Sequence, residues 1–172
     1  MNKQELDMTQ EHKEILIRDL CGRLPYGVKE YIKNWSNLSR KYYEGVYTVE
    51  SIDPSLNTIF ADSERSCVEV IVGYDDYEIK PYLFPMSSMT EEQAKELSIL
   101  YGIKDILSIK ITDEYIDFEV DDGFCSIETK TIWYNEIISS IEIFDWLNKN
   151  HFDYRGLIPM ELAINATNLN IY

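Results

Sequence analysis

The stretch Asp105–Asn135, DILSIKITDEYIDFEVDDGFCSIETKTIWYN, decides the fold. A two-residue hairpin turn at Asp122-Gly123 sets Val120 opposite Cys125, Phe118 opposite Ile127 and Ile116 opposite Thr129. A second turn at Asp113-Glu114 sets Ile111 opposite Ile116, Ile109 opposite Phe118 and Leu107 opposite Val120. Both turns place the apolar residues on one side, and a one-residue slip would scatter them over both faces. The pattern predicts a three-stranded antiparallel meander over about residues 105–134, with Ile109, Ile111, Ile116, Phe118, Val120 and Ile127 inward.

The same registration puts Asp117 on the outer face, opposite Lys110 and Glu128, with Glu119 and Asp121 along the strand. Facing carboxylates repel unless a positive group intervenes. A divalent ion or a salt-bridge network with Lys110 and Lys130 would meet that need. The network is the reading kept, because oxygen-ligand sites usually add loop carbonyls and fixed geometry. No metal or other cofactor is expected, and Asp117, Glu119 and Glu128 become candidate contacts for a basic protein.

Upstream, Lys80–Leu97 reads KPYLFPMSSMTEEQAKEL. Pro81 and Pro85 hold its first part extended. Thr90 and Gln93 form a capping box, Met89 staples onto Ala94, Glu91 and Glu92 suit the positive helix end, and Gly102 stops the helix after Tyr101. Tyr82, Phe84 and Met86 are left as candidate contact groups. Downstream, Ser139 with Glu142 and Ile138 with Ile143 predict a third helix carrying Ile143, Phe144 and Leu147 inward. The first helix is expected to begin near Asp7, to bury Leu16, Ile17, Leu20, Cys21 and Leu24, and to end at Gly22 and Pro25. Between these helices VKEYIKNW, YEGVYTVES, NTIFA and CVEVIVG read as antiparallel strands.

With no repeat, low-complexity tract or linker, the 172 residues predict one α+β domain, antiparallel sheet packed with about three helices. No apolar run suits a membrane span, and acidic residues occupy the start where a signal peptide needs basic ones, so a cytoplasmic protein is expected. Cys21, Cys67 and Cys125 are too few and too far apart for a disulfide framework or a zinc site, and are expected to be reduced and buried.

The net charge of −15 is uneven. Residues 1–43 balance at +2, which leaves −17 on residues 44–172. Such a surface repels phosphates and suits a basic protein partner. One stretch runs against it: Lys29, Tyr31, Lys33 and Trp35 alternate on one strand face, with Arg40, Lys41, Tyr42 and Tyr43 close behind. Cations interleaved with aromatics are candidate RNA contacts, although lysines also protect an exposed edge strand.

The two histidines, His12 and His151, come with no recognisable nucleophile. A general acid/base at His151, aided by Asp153 and Arg155, competes with a helix-capping role, which is preferred. GxSxG, Walker A, GxGxxG, HExxH and EF-hand spacings are absent from the sequence, and no catalytic residue is assigned.

Three blocks, LCGRLPYGVK (Leu20–Lys29), IKPYLFPMSSMTEEQ (Ile79–Gln93) and FDWLNKNHFDYRGLI (Phe144–Ile158), resemble a family of uncharacterised small proteins of gut Bacteroides-type bacteria and their phages. The resemblance implies an intracellular accessory protein of a phage or mobile element, with no site residue to transfer. The expected function is non-enzymatic binding of another protein. A structural component of a phage particle, an RNA-binding protein and a carboxylate-dependent enzyme are the alternatives.

Overall fold

The computed structural model describes residues 8–36, 41–63, 66–73, 77–124, 126–137 and 140–172. Along the chain run α1 (Gln10–Arg23), β1 (Lys29–Ser36), β2 (Lys41–Asp53), β3 (Thr58–Ser63), β4 (Ser66–Ile71), β5 (Tyr77–Leu83) and α2 (Glu91–Leu100). Then come β6 (Ile106–Ile111), β7 (Tyr115–Asp121), β8 (Ile127–Trp133), α3 (Ile141–Lys149) and the short β9 (Ile164–Asn165). The α+β domain comprises two compact units, Met1–Leu83 with Arg155–Tyr172, and Phe84–Tyr154. The first crossing point, between Leu83 and Phe84, lies in hydrogen-bonded backbone: Leu83 accepts from the Ala166 amide and Phe84 donates to the His151 carbonyl.

In the first unit a six-stranded sheet runs in the order β4-β3-β2-β1-β5-β9. All pairs are antiparallel except β5–β9. Val28 and Ile32 just before and within β1, Ile59 and Ala61 of β3, and Ile79 and Leu83 of β5 bury one face with Leu16 and Leu20 of α1. The cap of α1 is Thr9, whose hydroxyl accepts the His12 amide at 3.2 Å. The expected cap, Asp7, lies outside the described residues. Gly22 does not end the helix, which continues to Arg23 and a 3-10 turn at Leu24–Tyr26. One glycine in a helix interior costs only about 1 kcal/mol, so the stop falls to Pro25, which lacks an amide, and to Gly27 at φ 65°.

The second unit packs α2 and α3 with the β6-β7-β8 sheet around Ala94, Leu97, Ile116, Phe118, Ile143 and Leu147. The capping box of α2 forms as expected: Gln93 N–H donates to Thr90 Oγ1 at 3.2 Å, and Thr90 N–H to Gln93 Oε1 at 2.9 Å. Gly102, at φ 69°, follows the helix. The cap of α3 is Ser140, which accepts the Ile143 amide at 3.2 Å. The expected cap, Ser139, and its staple partner Ile138 lie outside the described residues.

The meander is present, and half of its register needs correction. Thr112 N–H donates to Tyr115 O around the Asp113-Glu114 turn, so Ile111 faces Ile116 and Ile109 faces Phe118 as expected. A bulge between Ile106 and Ser108 then pairs Ile106 with Val120 and turns Leu107 to solvent. The β7–β8 hairpin closes at Asp122/Ser126, where Asp122 N–H donates to Ser126 O at 3.2 Å. The Asp122 carboxylate accepts from the Phe124 and Ser126 amides and from the Ser126 hydroxyl, organising a longer turn than two residues. These bonds, with the Ser126 hydroxyl first, also hold its carboxyl below its ordinary pKa. The longer turn moves the register by three residues. Phe118 therefore faces Lys130, Ile116 faces Ile132, and the parity of β8 reverses: Ile132 is buried while Ile127 is 65% exposed.

Candidate functional site

The outer face of the β6-β7-β8 sheet is built by the alternation of β7. Ile116, Phe118 and Val120 bury one side, which leaves Tyr115, Asp117, Glu119 and Asp121 on the other. Across the sheet Asp117 has Lys110 and Thr131 as neighbours, and Glu119 has Ser108 and Thr129. The Thr131 hydroxyl donates to Asp117 Oδ1 at 2.7 Å, and the Ser108 hydroxyl to Glu119 Oε2 at 2.6 Å. These neutral donors orient the carboxylates and leave their charge standing. Lys110 turns to the Tyr115 hydroxyl at 3.4 Å, with its ammonium 5.6 Å from that ring, and Tyr115 packs on Trp133 at 4.8 Å between centroids.

Glu128 is not part of this face. It pairs in register with Val120, on the core-facing parity, and forms an ion pair with Lys130 at 2.5 Å. The expected juxtaposition of Asp117 with Glu128 is therefore absent, and with it the geometric reason for an intervening cation. Of the expected salt-bridge network Lys130–Glu128 forms, whereas Lys110, in register with Asp117 as expected, turns to the Tyr115 hydroxyl instead. Among the described residues no group of three or more metal-ligating side chains converges.

Beside this face lies a groove of about 320 Å³, lined by Thr129 to Trp133 of β8 with Tyr101, Ile103 and Glu136. β8 is an edge strand of its sheet. Phe124, at the hairpin turn, and Ile127 are exposed at the far end of the meander.

The other expected contact groups are placed differently. Tyr82 is buried, and its carbonyl accepts the Tyr172 hydroxyl at 2.8 Å in the first unit. In the second unit Phe84 is half-buried in the core cluster and bridges to Phe152, and Met86 is buried. His151 is buried too, at φ 55° directly after α3, with its amide bonded to Asn148 O. Arg155 Nε lies 3.3 Å from Asp19 Oδ1. Cys21 and Cys67 are exposed, against expectation, and Cys125 lies outside the described residues. Cys21 follows the buried Leu20 round the helix onto the open side of α1.

The cation-aromatic stripe lies on β1, which pairs with both β2 and β5 and is no edge strand. Lys29 Nζ donates to Ile171 O at 2.6 Å. The Tyr31 hydroxyl donates to Glu44 Oε2 at 2.8 Å, and burial, then that bond, push its pKa up to about 12. Lys33 has Glu44 on one side and Glu78 on the other in register. Glutamates thus interrupt the surface a phosphate backbone would have to approach. Arg40 and the side chains of Trp35, Lys41, Tyr42 and Tyr43 lie outside what the structure describes.

A buried ionisable group on the opposite side of β1 escaped the sequence reading. Asp19 and Arg23, both fully buried, meet through Arg23 Nε to Asp19 Oδ2 at 2.6 Å and Arg23 Nη2 to Asp19 Oδ1 at 3.0 Å. Glu30 is fully buried with neither carboxyl oxygen hydrogen-bonded, and burial pushes its pKa up to about 8. Tyr172 senses all three, and burial raises its phenol to about 12. The signal was in the pattern: Glu30 shares strand parity with Val28 and Ile32, and Asp19 and Arg23 stand four residues apart beside Leu16 and Leu20.

No protein-family model, curated protein or solved structure matches the chain.

Proposed function

We propose that this chain is a non-enzymatic accessory protein that binds a basic protein, and that the outer face of the β6-β7-β8 sheet is its contact surface. The resemblance of the three sequence blocks supplies the setting, a phage or mobile element. The observation that carries the reading is the orientation of Asp117 and Glu119 by hydroxyl donors that do not neutralise them. The surroundings reinforce it. Residues 84–154 contain 15 Asp/Glu and five Lys/Arg, which places −10 of the net −15 in this unit. Self-repulsion of that size opposes folding, and association with a cationic surface relieves it.

The test begins with affinity purification from the native host and continues with association kinetics of the purified partner. Changing Asp117→Asn, Glu119→Gln and Asp121→Asn together is expected to slow association roughly tenfold at low salt and to flatten its salt dependence. Glu128→Gln, on the other side of the sheet, serves as the control with little effect. Equal rates and equal salt slopes for the triple variant and the unchanged protein would overturn the reading.

A further inference from the structure

The main chain of β8 is arranged to accept another strand. Tyr134 N–H donates to Glu114 O at 3.0 Å, and Asp122 N–H to Ser126 O at 3.2 Å. In an antiparallel ladder hydrogen-bonded pairs alternate, so these two bonds assign residues 128, 130 and 132 to the pairs bonded with β7. The amides and carbonyls of Ile127, Thr129, Thr131 and Trp133 therefore point away from β7, to the edge. Among the described residues no strand pairs with that edge. β6, the opposite edge, is broken by its bulge, whereas β8 pairs along all seven residues without one. Regular, unbroken edges are the ones that accept added strands.

We infer that an extended, lysine- or arginine-bearing segment of a partner protein joins this sheet as a fourth strand along β8. This rests on the acidic-face reading above and specifies how the partner is held. An added strand alternates its side chains between two environments. On one side they meet the groove floored by Ile132 beside Tyr101 and Ile103, which suits apolar residues. On the other they lie next to Thr129 and Thr131, whose short side chains leave a cation free to reach across to Glu119 and Asp117. The segment is accordingly one of alternating basic and apolar residues. A second copy of this chain is a poor occupant, because edge-to-edge pairing would bring two units of net −10 together.

The test uses a fluorescent eight-residue peptide of alternating Lys and Val on the full-length protein, with Glu/Val and blocked Lys-then-Val peptides as controls. The alternating Lys/Val peptide is expected to bind best and to slow hydrogen exchange at the Thr129, Thr131 and Trp133 amides at least tenfold. Thr131→Pro removes an outward amide while sparing the β7 ladder, a position where edge strands tolerate proline. It is expected to lower peptide affinity at least tenfold with unchanged far-ultraviolet dichroism. Thr129→Pro provides the same test one pair away, should Thr131→Pro not fold. If the peptide binds folded Thr131→Pro and Thr129→Pro as well as the unchanged protein and leaves those amides unprotected, strand addition is wrong while charge-driven binding stands. If none of the peptides binds even at low salt, the acidic-face reading falls as well. Concentration-dependent dimerisation lost in Thr131→Pro would overturn the inference in favour of a second copy.

Discussion

From about pH 4.5 to about pH 8 the protein loses stability as pH rises, and Glu30→Gln removes most of that slope. Glu30 is fully buried, its oxygens have no hydrogen-bond partner, and burial raises its pKa from the ordinary 4.5 to about 8. Within that window the unfolded chain gives up the proton and the folded chain keeps it, so the folded state binds more protons. Stability then falls by up to about 1.4 kcal/mol per pH unit, and on the order of 3–5 kcal/mol across the window. Above about pH 8 both states are ionised and the loss is complete.

The shifted groups Asp53, Asp122, Glu142, Tyr31 and Tyr172 act outside this window. Asp53, Asp122 and Glu142 have pKa values lowered by hydrogen bonds, so their contribution is present above the ordinary carboxylate range and is lost as pH falls through the lowered values. Tyr31 and Tyr172, raised to about 12, act above pH 10. Urea unfolding at pH steps between 5 and 8.5 measures the effect. Parallel curves for the unchanged protein and Glu30→Gln would mean that the carboxylate is solvated or paired when charged.

Phe118→Ala is expected to cost about 3–5 kcal/mol, and Ile127→Ala no more than about 0.5 kcal/mol. Phe118 is fully buried on β7 among residues of both helices, and truncation leaves a cavity that the rigid sheet cannot close. Ile127 is mostly exposed because the Asp122–Ser126 turn reversed the parity of β8. A two-residue turn would have put Ile127 opposite Phe118 and made both changes costly. Chemical denaturation of the two variants thus reads the register, and a loss at Ile127 comparable to that at Phe118 would reject it.

The legible parts of this protein rest on interactions within a few residues. The Thr90–Gln93 box, the stop at Gly102 and the turn at Asp113-Glu114 each need only neighbouring side chains, and each forms where the sequence places it. The parity of β7 was also readable, because Ile116, Phe118 and Val120 alternate with charged residues. On β8 no such alternation exists. Its residues are nearly all exposed, so hydrophobic pattern could not correct a wrong turn. Asp117 and Glu119 were therefore placed on the correct face and Glu128 on the wrong one.

What the sequence alone determined was the α+β class, the Thr90–Gln93 capping box of α2, the inward face of the central meander strand and the concentration of negative charge. Only the tertiary structure decided that β1 sits mid-sheet, that Glu30, Asp19 and Arg23 are fully buried, and that β8 is an edge strand with which no other described strand pairs on its open side. The physical reason is range. Caps and turns are closed by bonds over three or four residues, while a strand's place in its sheet depends on partners as distant as Tyr31 and Lys80. A residue's burial depends in turn on which elements cover it, and no local pattern carries that.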